Sequence, residues 1–95
     1  MAAELVFHEK RVEASGAIPE MKIWRVPDPV PPTDHGLKYS LFYGFSGRRL
    51  VGFDNERGKG DHMHLGDREF AYVFTSVEQL MADFLTEVRK AEGAG

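Results

Sequence analysis

Cysteine is absent from this chain of 95 residues. That excludes a disulfide scaffold, a thiol nucleophile and every zinc site built on thiolates. No apolar run approaches the roughly 18 residues that a spanning helix needs. The start, Met1-Ala2-Ala3-Glu4, lacks the basic and apolar stretches of a secretory signal. A cytoplasmic protein without a membrane partner is therefore expected. A basic excess is missing too, because 12 Lys and Arg face 15 Asp and Glu for a net charge of −3. That argues against broad, sequence-indifferent nucleic-acid binding. Between residues 35 and 72 the balance is closer, with six cations against five acids. A local cationic site stays open on that count. No internal repeat is evident.

What is present suits one small domain covering residues 1–95. Apolar residues make up 42% and aromatics 12%, enough for a single core. A chain this short buries a limited share of its surface, so it leans on aromatics or on a partner. A strand is expected over 4–14, ended by Ser15-Gly16 turn chemistry. A second is expected over 20–26, with Met21 and Ile23 on one side and Trp24 and Val26 on the other. Residues 27–34 then hold four prolines within six positions. Proline neither donates to a ladder nor continues a helix, so a stiff extended connector is expected there.

The clearest pattern lies at 37–45. Leu37, Tyr39, Leu41, Tyr43 and Phe45 take every second position, which puts them on one strand face. Ser46-Gly47 reads as a tight turn and 48–55 as the return strand of a hairpin. After a polar, glycine-bearing connection over 56–68, the alternation of Phe70, Tyr72 and Phe74 marks another strand. Thr75 or Ser76 can cap a helix, since Glu78 and Gln79 stand three residues on. Its apolar stripe is Val77, Leu80, Met81, Phe84, Leu85 and Val88. The expected architecture is α+β: an antiparallel sheet of about five strands with one C-terminal helix packed on one face. The other face is left partly polar or covered by a partner chain, and a homodimer is one arrangement that would do so.

The stretch from Asp54 to His64 concentrates the reactive groups. One reading is metal-free phosphodiester chemistry, which needs a base, an acid and positive charge at the phosphate. His62 and His64 titrate in a suitable range. If the segment is extended, their spacing of two puts both rings on one face. Arg57 and Lys59 supply charge. Gly58 and Gly60 would let the backbone approach a phosphate. Asp61 or Asp54 could orient an imidazole, and Asn55 could donate to a phosphate or base. No cofactor is needed in this scheme. A second reading is a metal-dependent hydrolase, with His62 and His64 beside Asp61 or Asp54 as ligands. A phosphate loop of the nucleotide-triphosphatase kind is excluded. The Gly52–Gly58 spacing is one residue too long, and Gly60 follows Lys59 where Ser or Thr is required. A plain solvated loop is the bland alternative. His35 could approach the same site if the ends of the sheet converge, while Arg48 and Arg49 at the hairpin turn read as solvated.

Several strings resemble the TumE-type toxin-like proteins of prokaryotic toxin–antitoxin pairs. They are Ile-Trp-Arg-Val-Pro at 23–27, His-Gly-Leu-Lys-Tyr at 35–39, Val-Gly-Phe-Asp-Asn-Glu-Arg-Gly-Lys-Gly-Asp-His-x-His at 51–64 and Phe-Thr-Ser-Val-Glu-Gln-Leu at 74–80. The third is the specific one. The resemblance implies a toxin that arrests growth, acts on RNA and pairs with a cognate antitoxin of helix-turn-helix type. Carried onto this chain, it implicates Lys38, Asp54, Asn55, Lys59, Asp61, His62 and His64. A non-enzymatic module that docks onto a regulator is the competing class, motivated by Trp24 and the single covering helix.

Overall fold

The computed structural model describes residues 3–27, 35–56 and 58–94. Most of the proline-rich connector, and Arg57, lie outside the described residues. The elements are β1 (Glu4–Lys10), β2 (Ile18–Arg25), β3 (Leu37–Phe45), β4 (Arg48–Glu56), β5 (Gly60–Leu65), β6 (Arg68–Ala71) and α1 (Val77–Ala94). The strands form one antiparallel sheet in chain order, β1 to β6. The α+β architecture is as expected, with six strands in place of about five.

The added strand is β5, inside the stretch read as a polar connection. Met63 and Leu65 alternate with His62 and His64, so one side faces the core and the other does not. What remains of the connection is a tight turn, closed by the Lys59 amide donating to the Glu56 carbonyl at 3.1 Å. Gly58 and Gly60 hold φ of 86° and 76° there. Left-handed backbone favours glycine, so turn geometry accounts for both residues. The last strand is shorter than the expected 70–74. Beyond Ala71 the chain turns toward α1, though Tyr72 and Phe74 still pack against the core. β1 likewise stops at Lys10, before a turn at Glu13–Gly16.

The helix covers one face of the sheet. Tyr39, Leu41, Tyr43, Val51, Phe53, Met21 and Ile23 are buried beneath Leu80, Phe84 and Val88. The buried helical residues stand four apart, which is one ridge of a helix. Val77 and Leu85, expected in the stripe, are 38% and 41% exposed. A lone helix on a twisted sheet buries a narrower stripe than one packed on both sides. Phe45 is also exposed, because the ladder shifts register between Tyr43 and Gly44. Ser76 is the cap that forms: its hydroxyl accepts from the Gln79 amide at 3.0 Å.

Candidate functional site on the open sheet face

Register decides which groups meet. Asp54 lies opposite His62 and Gly52 opposite His64. On the other side of β5, Ala71 faces His62 and Glu69 faces His64. All of these point away from α1. Small neighbours therefore flank the imidazoles, Gly52 on one side and Ala71 on the other. A cleft of about 250 Å³ opens at the end of the β5–β6 ladder, lined by Lys59, Asp61, His62, Glu69, Phe70 and Ala71.

His62 is the centre of the arrangement. Its side chain is 5% exposed. Nδ1 lies 3.0 Å from the Gly60 carbonyl oxygen. A carbonyl only accepts, so Nδ1 carries the hydrogen and donates it. Nε2 then faces carboxylates. Asp54 Oδ1 touches it, and Glu69 and Glu56 oxygens lie 3.9 and 4.0 Å away. Among the described residues, Nε2 and Asp54 Oδ1 are buried atoms without a well-formed hydrogen-bond partner. A bare ring nitrogen and a carboxylate oxygen are both acceptors, so this contact calls for a positive centre between them.

The His64 ring packs edge-on against His62, with centroids 5.0 Å apart at 81°. Its Nε2 is 3.5 Å from Glu69. Burial holds its pKa below the ordinary imidazole range, Arg49 adds to that effect, and Asp54 opposes it. That favours the neutral ring of His64, whose lone pair is then free. Lys59 donates to Glu69 at 2.9 Å. That contact raises the lysine and lowers the glutamate, and both stay charged.

Arg49 and Glu69 were not among the residues expected from sequence. A Cβ placed on Gly52 would come 2.7 Å from Arg49 Cδ and 3.3 Å from its Nε. The arginine stem therefore lies across Gly52, beside His64. Period-two alternation over 61–65, once taken as a strand, would have pointed to Glu69 by pairing. Arg49 left no such signal, because the register shift near the turn re-aims it.

Other expected site residues are placed elsewhere. Asn55 is fully buried on the helix face. It accepts from the Tyr39 amide at 3.0 Å and donates to the Leu37 carbonyl at 2.8 Å, so it clamps β3 to β4, and its full burial keeps it from a substrate there. Asp61 also points to the helix face, where His35 Nε2 lies 3.1 Å from Oδ2. Its side chain is 6% exposed and reaches the cleft only as wall. His35 is thus on the face opposite His62 and His64. Lys38 is on the open face but donates to the Asn55 carbonyl at 3.2 Å.

A single-sheet α+β domain with an acid–imidazole cluster on its uncovered face is the class that fold and site define. A family model described as Toxin TumE matches residues 2–92. The chain belongs to the TumE toxin family. No curated protein and no solved structure matches it. Membership marks a toxin component of a toxin–antitoxin system and implies an antitoxin partner. Among the described residues, no helix is long and apolar enough to cross a membrane.

Proposed function

We propose that this toxin cleaves RNA at the open-face cluster, with the two imidazoles as acid and base. The adjoining His62 and His64 rings carry the reading. Once Asp54 swings aside to uncover His62 Nε2, the two rings are close enough to address oxygens of one phosphate. His64 takes the proton of a ribose 2′-hydroxyl as its oxygen attacks phosphorus. His62, charged against Asp54, gives a proton to the departing 5′-oxygen. The products are a 2′,3′-cyclic phosphate end and a 5′-hydroxyl end. The scheme splits two similar groups into opposite roles through their surroundings. Arg49 and Lys59 supply positive charge at the phosphate. Lys38 adds charge on the same face, and Arg57, which lies outside the described residues, is read from sequence as a further cation. The cognate antitoxin, of helix-turn-helix type, is the protein partner, and it acts in the cytoplasm.

Induced expression tests the scheme. Wild type should arrest growth and yield RNA fragments ending in cyclic phosphate, whereas His64→Ala should do neither while keeping its fold. Undiminished toxicity in His64→Ala would overturn it. Gly52→Ala isolates the arginine. The three atoms nearest the added methyl all belong to the flexible Arg49 side chain, so the fold should lose about 1 kcal/mol or less. Activity should fall about tenfold or more as the guanidinium is pushed aside. Equal rates for Gly52→Ala and wild type would remove Arg49 from the scheme.

A further inference from the structure

We infer that Asp54, His62 and His64 form a binding site for one divalent ion of the zinc class. One ligand atom from each lies within 4.8 Å of the other two. The ligand types, two imidazoles and a carboxylate, suit zinc and its neighbours better than magnesium or calcium.

A second observation is independent of that cluster. His62 is nine-tenths buried, and its Nε2 is aimed into the site with no well-formed partner among the described residues. Its other nitrogen donates to the Gly60 carbonyl. That bond fixes the tautomer whose free lone pair lies on Nε2, the usual outer support of a metal-bound histidine. Three carboxylates, Asp54, Glu56 and Glu69, lie within 4.0 Å of that same nitrogen. One shared proton neutralises only part of this negative charge, whereas a divalent cation offsets more of it. A tetrahedral ion with bonds of about 2.1 Å sets ligand atoms roughly 3.4 Å apart. Asp54 and His62 would therefore open slightly and His64 close in. Glu69, 3.5 Å from His64 Nε2, stands ready as the fourth ligand once Lys59 releases it.

Strand geometry explains why this is a built arrangement. Positions two apart on β5 share a face, and the antiparallel register puts Asp54 directly across from His62. An ion held by both imidazoles takes the lone pairs that proton transfer requires. The loaded toxin would thus be silent. This consequence rests on the nuclease reading, whereas the binding does not.

The test uses the purified full chain, stripped with EDTA and titrated with zinc chloride against a chromogenic chelator. One ion per chain is expected, and cobalt in its place should give visible absorption bands of tetrahedral intensity. His64→Gln and Asp54→Asn should each weaken zinc binding about tenfold or more, with circular dichroism confirming the fold. His8→Ala, on the same face but paired with Glu20, should bind as wild type. Absence of zinc binding by the wild type, or equal affinity in the His64 and Asp54 variants, would overturn the site. RNA cleavage without zinc binding would leave the nuclease reading intact. Zinc binding without RNA cleavage would leave the ion site intact.

Discussion

Phe84→Ala is expected to destabilise the domain by about 3–5 kcal/mol, the usual range for removing a buried phenylalanine. The residue is 1% exposed and meets Phe53 edge-on, with centroids 6.0 Å apart. Phe53 in turn meets Tyr72 at 5.0 Å. Removal of Phe84 opens a cavity where helix and sheet join. No second helix is available among the described elements to close it. Small domains have about 5–15 kcal/mol in total, so a large part of the stability should go. Urea unfolding checks this: the midpoint should drop sharply with the slope unchanged. Leu85→Ala, one position on but 41% exposed, should cost well under half as much.

Asn55→Ala is expected to cost about 2–5 kcal/mol. It strands the Tyr39 amide and the Leu37 carbonyl, each of which the amide side chain satisfies. An orphaned buried polar group costs about 1–3 kcal/mol. Asn55→Asp should also be poor, because a carboxylate accepts from Tyr39 but sets oxygen against the Leu37 carbonyl. Thermal unfolding separates this from a substrate role. A contact to RNA would change activity and leave the melting temperature alone, and that result would refute the clamp.

The layout was legible where alternation was uninterrupted. Tyr39, Leu41 and Tyr43 declared β3, and the Leu80–Phe84–Val88 series with Ser76 declared the helix and its cap. β5 was obscured because its outward positions carry histidine and its ends carry glycine and charge. Those residues are also what loops use. The site was half legible. His62 and His64 share a face as their spacing of two suggested, and Asp54 and Lys59 lie beside them. Asn55 and Asp61 do not, because a strand sends neighbours to opposite faces. Had the segment been taken as extended throughout, their separation from the histidines would have followed. Arg49 and Glu69 depend on cross-strand register, which a linear string does not carry. His35 and Asp61 find each other across the helix face, a pairing set by tertiary packing alone.

Each strand of the meander pairs with its predecessor in the chain, and the helix follows all six. During synthesis the ladders can zip up one after another as the nascent polypeptide emerges. The apolar side of the sheet, with Tyr39, Leu41 and Phe53, waits for the 18-residue helix to be made. At ribosomal speeds of about 5–20 residues per second, that delay is on the order of one to four seconds. A message cut short before the codon for Val77 would therefore yield a complete acid–imidazole cluster on a sheet with a greasy, unprotected underside, a product bound for aggregation or proteolysis.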